Sequence, residues 1–186
     1  SEIKDGNAVY SVKFKPFYDK EVFVTVVTTV FPDGSIKFDY EYSGADNMPK
    51  FPCAGLMISL KKEYSHLQWY GLGKEHTYCD KYLGGKIGIH STDVEEQLPK
   101  YLRPQEYGNH YDTRWLKVYN DNDRGIIFKA EKTLDMSAIS YTPDEIESAI
   151  TNTYLPTPYC TRVYVNGFMS GVGGDTSWGA PVHEEF

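Results

Sequence analysis

The chain is expected to fold as an all-β protein, with two large antiparallel sheets packed as a sandwich and one short helix. Three observations predict this. Apolar and polar residues alternate with period 2 in several short runs, which places one set of side chains on one face of a strand. Turn-forming Pro, Asp, Asn and Gly separate those runs. The composition is also unusually aromatic, with 16 Tyr, 9 Phe and 3 Trp, and tyrosine at that density favours β structure.

Taken in order, Tyr10, Val12 and Phe14 alternate with Ser11, Lys13 and Lys15, predicting a half-buried strand that Pro16 ends. Val22 to Phe31 is apolar on both faces and rich in Val and Thr, as in a central strand covered on both sides. Pro32-Asp33-Gly34 is a turn, after which Ile36, Phe38, Tyr40 and Tyr42 alternate with Lys37, Asp39 and Glu41 to complete a hairpin. Residues 43 to 52 read as loop, and Gly55 to Leu60 as a short strand. Gln68 to Gly73 is a strand running into a glycine turn, and Lys86 to His90 is another short strand. Residues 91 to 107, with Pro99 and Pro104, form an irregular crossing.

Arg114 to Tyr119 and Gly125 to Glu131 make a second hairpin across the polar turn Asn120-Asp121-Asn122-Asp123. Thr142-Pro143-Asp144-Glu145 starts the one clear helix: Thr as N-cap, Pro at the first helical position, Glu three residues after the cap. Ile146, Ala149 and Ile150 are its expected buried face, and Thr161 to Val165 is a last strand. A single helix beside so many antiparallel strands requires a second apolar layer, hence the sandwich.

Composition narrows the function classes. A length of 186 residues fits one domain. The net charge of −7, with basic residues mixed among acids, leaves no basic stripe for nucleic acid, and no apolar run is long enough for a membrane helix. Cys53, Cys79 and Cys160 are odd in number and widely spaced, neither a disulfide framework nor a zinc pattern. The expected compartment is the cytoplasm, or the periplasm of a Gram-negative bacterium. The five His, at 66, 76, 90, 110 and 183, include no i, i+4 pair, so no metal site is expected.

The stretch Gly171-Val172-Gly173-Gly174-Asp175-Thr176-Ser177-Trp178-Gly179 stands out. Its glycines permit positive φ and close backbone approach, and Asp175, Thr176 and Ser177 can bond their own backbone to fix a loop. Trp178 offers a flat face and one N–H donor. Two readings stand: a glycine-rich turn with a Trp plugging the core, or a sugar-contacting loop in which the ring stacks on the pyranose and polar groups take the hydroxyls.

Several motifs in register carry a resemblance. They are Trp69-Tyr70-Gly71-Leu72-Gly73, Tyr78 and Asp80, Pro104-Gln105-Glu106-Tyr107-Gly108-Asn109, Arg114-Trp115, the glycine-rich stretch, and Pro181, His183 and Phe186. Together they resemble the C-terminal domain of the large bacterial β-galactosidases of glycoside hydrolase family 2, also found as a separate small subunit. The resemblance implies a galactose mutarotase-like supersandwich, here the C-terminal portion of that domain without its first strands. A cut sandwich leaves a strand edge that can template a homo-oligomer. It further implies an accessory domain with no catalytic residue of its own. The acid/base and nucleophile glutamates sit on a separate (β/α)₈ barrel, the domain's partner. The β-galactoside or related sugar is the substrate, and the family's Mg and Na ions bind elsewhere. Trp178 matches the tryptophan lent to the sugar subsite, with Asp175 and Ser177 beside it. Glu106, Asn109, Arg114, Trp69, Gly173 and Gly174 match positions that support the loops; for Glu106 the expected role is accepting backbone N–H bonds.

The sequence departs from the family pattern at Lys74, His76 and Lys81, where Pro, Glu and Arg are usual, and at Cys53, where Arg is common. Joint loss of a carboxylate at 76 and a guanidinium at 53 is the change expected if the two pair in the family fold. Two alternatives are weighed beside the accessory reading. One is an aldose epimerase-like enzyme, in which His76 or His110 would work with Glu106; the other is a purely structural domain.

Overall fold

The computed structural model describes residues 1–17, 20–44, 46 and 51–171. It is all-β, with two antiparallel sheets and one short α-helix among the described residues. The chain divides into two compact units, Ser1–Phe51 and Pro52–Phe186.

The first unit is a four-stranded meander of β1 (Glu2–Lys4), β2 (Asn7–Phe14), β3 (Phe23–Val30) and β4 (Ile36–Ser43). The β1–β2 turn uses Asp5 and Gly6 at φ of 50° and 79°, the doubly positive backbone that matches the twist of a two-residue hairpin. At the β3–β4 turn Asp33 Oδ1 accepts the Ser35 N–H and hydroxyl. The register places Tyr10–Thr28–Phe38, Val12–Val26–Tyr40 and Phe14–Val24–Tyr42 in rows, so one face is almost wholly apolar. Tyr10, Val12, Phe14, Ile36 and Phe38 on that face are nonetheless exposed, and in β3 only Val24 is buried. The half-buried β2 and the β3 covered on both sides are thus corrected. Alternation fixes which side chains share a face, not what lies over it.

The second unit is a six-stranded sheet, formed by β5 (Cys53–Lys61), β6 (His66–Leu72), β7 (Ile87–Asp93), β8 (His110–Tyr119), β9 (Gly125–Ile139) and β10 (Cys160–Met169) in the order β5-β10-β9-β8-β6-β7. Strands β8, β9 and β10 outrun their predicted lengths: β8 already begins at His110, and Glu131-Lys132 in β9 and Asn166-Gly167 in β10 interrupt the alternation that the ladder continues through. On one face Leu67, Trp69, Leu116, Val118, Met136, Ala138 and Val163 form the core with Val94.

A second cluster gathers Tyr107, Ile139, Tyr141 and Ile146, closed by helix α1 (Pro143–Ser148). Its capping box is formed as expected: the Glu145 N–H donates to Thr142 Oγ1, and the Thr142 N–H donates to Glu145 Oε2. Ile146 and Ala149 are buried, but Ile150 is exposed. The helix ends at Ser148, and Ala149 is extended, so Ile150 no longer follows the helical face.

Candidate functional site

The site is built around the segment after β6, residues 73–85, and the foot of the glycine-rich stretch. Gly73 turns the chain at φ 47° and donates its N–H to Lys86 O. Thr77 then becomes a junction: its N–H donates to Asn109 O at 2.8 Å, and its Oγ1 accepts the Tyr111 N–H at 3.0 Å. Asn109 is placed by Gly108, which has φ 79° and would put a Cβ 2.6 Å from Ile139 Cγ2; only glycine suits that position. The Asn109 amide donates to Thr77 O at 2.9 Å and to Asp135 Oδ1 at 2.8 Å. Asp135 also accepts the backbone N–H of Met169 at the end of β10. One buried amide and one buried carboxylate thereby join four segments of chain.

Burial raises Asp135 to about 6 against the donors from Asn109 and Met169, with the nearby charge of Asp112 adding to the rise. Glu106 accepts the Tyr78 hydroxyl at 3.4 Å and the Tyr107 N–H, and burial holds its carboxyl above the usual range. Burial, then the Glu106 charge, raises Tyr78, which therefore remains a protonated donor. Cys53 lies in the field of the same carboxylate, its thiol raised by burial and by Glu106. His76 instead accepts a hydrogen bond from Lys81 Nζ at 2.8 Å, and burial followed by the Lys81 charge lowers it. Cys53 and His76 share no hydrogen bond; the acid facing Cys53 is Glu106.

Trp69 is fully buried, donates its indole N–H to Leu72 O, and stacks on His110 with ring centroids 3.8 Å apart. Gln97 Nε2 donates to Ala138 O, which turns Gln97 Oε1 toward His110 Nε2 at 2.8 Å. His110 is thus neutral with its proton on Nε2, and burial pushes it down to about 3. Arg114 stands apart: it donates to Asp112 O and Oδ2 and lies over the Tyr70 ring, steadying an irregular part of β8 where Asp112 has φ 58°.

Gly171, the first residue of the glycine-rich stretch, packs against Asp80 so closely that a Cβ would fall 1.9 Å from Asp80 Oδ2, and its N–H points at the Cys79 sulfur. Beside it a hollow of about 370 Å³ is lined by Lys74, His76, Asp80, Lys81 and Tyr82 together with glycine backbone. Gly173, Gly174, Asp175, Ser177 and Trp178 lie outside the described residues.

The fold therefore brings Glu106 and Asn109 to the 73–85 segment, places Trp69 in the core beneath, and sets Arg114 to one side. Sequence reasoning missed Thr77, Gln97 and Asp135. For Asp135 a signal was present, a lone carboxylate between Leu134 and Met136 in an apolar run. Among the described residues no three His, Cys, Asp or Glu are grouped to hold a metal ion, and no helix is long and apolar enough to cross a membrane.

The sequence profile of the family described as "Beta galactosidase small chain" matches residues 1–186. The chain belongs to the β-galactosidase small-chain family. It is similar to a β-galactosidase of Halalkalibacterium halodurans, 38% identical over 189 residues, covering 100% of this chain and 19% of that protein. A β-galactosidase of Priestia megaterium is 36% identical over 161 residues, covering 87% of this chain and 16% of that protein. A β-galactosidase small subunit of Latilactobacillus sakei is 32% identical over 170 residues, covering 86% of this chain and 53% of that protein. The chain thus spans under a fifth of the first two relatives and about half of the small subunit.

Proposed function

We propose that this small chain is an accessory part of a β-galactosidase-type glycoside hydrolase, presenting Trp178 to the sugar subsite of a catalytic barrel carried elsewhere. The observation that carries this reading is the match of the whole chain, residues 1–186, to the small-chain family. The hold on Gly171 supports it, because a loop that offers a ring to a sugar needs its base fixed before the ligand arrives. Asp175 and Ser177 supply polar partners for the hydroxyls, and Glu106, Asn109 and Trp69 keep the underlying segments in place. The acid/base chemistry belongs to the barrel, whose partner surface on this chain excludes water and orients the glycoside.

The epimerase alternative gains nothing from His110, which is 1% exposed and held neutral, or from His76, which is bonded to Lys81.

In the full-length protein, Trp178→Ala should raise KM for β-galactosides and lower kcat/KM while leaving the fold intact by circular dichroism. Unchanged kinetics on every β-glycoside tested would refute the sugar contact and leave a structural role.

A further inference from the structure

His66 opens β6, between Asp93 of β7 and Tyr119 of β8 in the ladder register. Its Nδ1 lies 2.6 Å from Asp93 Oδ1, and its Nε2 lies 2.7 Å from Asp121 Oδ1 in the β8–β9 turn. Ionised carboxylates only accept hydrogen bonds, so each of these contacts requires an N–H from the ring. A neutral imidazole has one N–H and one bare nitrogen; two short bonds to two carboxylates require both protons. We infer that His66 is an imidazolium clasp, fastening the end of β7 to the β8–β9 turn while the ring and both carboxylates are charged and releasing the turn when the ring gives up its proton.

The surrounding charges agree. Lys117, from β8, is paired with Asp123 and lies over the Tyr119 ring, and that ring packs on His66 with centroids 5.3 Å apart. Lys62 is paired with Glu95 at 3.6 Å. The neighbouring cations are thus engaged elsewhere, and Glu63 and Arg124 of the adjoining segments make no bond to the imidazole. The field at the ring is set by Asp93 and Asp121. Hydrogen bonds first from Asp121 and then from Asp93 hold the imidazole above its ordinary 6.5. A group raised in this way stabilises the fold fully below its unfolded value, and that contribution disappears as pH climbs through the folded value. Asp121 is the partner that lets go. Its side chain is 90% exposed, against 52% for Asp93, so water replaces its bond at less cost, and Asp93 is also held by the β6–β7 ladder.

Long-range ¹H–¹⁵N spectra of the labelled 186-residue chain test this. At about pH 6.5, the ordinary histidine midpoint, both ring nitrogens of His66 should show imidazolium shifts, with the midpoint lying higher. Asp121→Asn should lower that midpoint and reduce the hydrogen-exchange protection of the 120–124 amides several-fold near neutrality, with little effect in alkaline solution. His66→Gln should make that protection insensitive to pH. A neutral-ring spectrum at about pH 6.5, a midpoint unmoved by Asp121→Asn, or a loss of protection of equal size at alkaline pH would each overturn the clasp.

Discussion

The junction made by Asn109 gives the sharpest prediction. Asn109→Ala removes two donors from buried acceptors, the Thr77 carbonyl and the Asp135 carboxylate. A buried neutral bond contributes about 1 kcal/mol and one to a charged group about 1.5–3 kcal/mol, so the substitution should cost about 2–4 kcal/mol near pH 7.5. The cost should also depend on pH. Asp135 binds its proton more tightly folded than unfolded, with a value of about 6 against 3.8. That difference stabilises the fold fully below 3.8 and is lost as pH rises through about 6, roughly 3 kcal/mol in all. The Asn109 amide works against this loss by favouring the ionised form. At about pH 5 the folded carboxyl is mostly protonated and needs that donor less, so the cost should fall to about 1–2 kcal/mol. Urea unfolding at the two pH values, followed by tryptophan fluorescence, measures both. Equal losses at the two pH values, or a loss under about 0.5 kcal/mol at the higher, would refute the reasoning; Asp135→Asn should abolish the pH dependence.

Further outcomes follow from the same geometry. Gly171→Ala places a Cβ 1.9 Å from Asp80 Oδ2 and should cost about 1–3 kcal/mol of overpacking, read as a lowered urea midpoint; a neutral change would mean that Asp80 yields freely. Ile146→Ala should destabilise by about 2–4 kcal/mol, since Ile146 closes the second cluster, and Thr142→Ala by about 1 kcal/mol through the lost cap, both by urea unfolding. His110 should show one neutral tautomer, protonated on Nε2, from alkaline solution down to about pH 4 in ¹⁵N spectra. Because its folded value is lowered, the unfolded chain takes up a proton first, so stability falls as pH drops below about 6.5. Titration near 6.5 would contradict the enclosed ring.

Much of this fold was legible where local chemistry decides. Thr142, Pro143 and Glu145 announced the helix start because capping is written within four residues, and the β3–β4 hairpin was announced by Asp33 and Gly34. The exposure of Tyr10 and Val12 was not legible, since the same alternation would serve a covered or an open face. The role of Asp135 was hidden for a related reason. It acquires meaning only beside Asn109, 26 residues away, and beside Met169 on another strand. The departures at Cys53 and His76 likewise did not name their neighbours in this fold, which are Glu106 for Cys53 and Lys81 for His76. The carboxylate wedged against Gly171, the first residue of the glycine-rich stretch, was not legible either, because Asp80 lies far earlier in the chain.

That distance has a practical consequence for anyone transplanting the stretch. A graft of residues 171–179 onto another scaffold would leave behind Asp80, Cys79 and the Thr77–Asn109–Asp135 junction, every group shown to anchor its entry. The smallest portable unit is therefore the six-stranded sheet with its crossing segments, and redesign of the stretch has to begin from the strands.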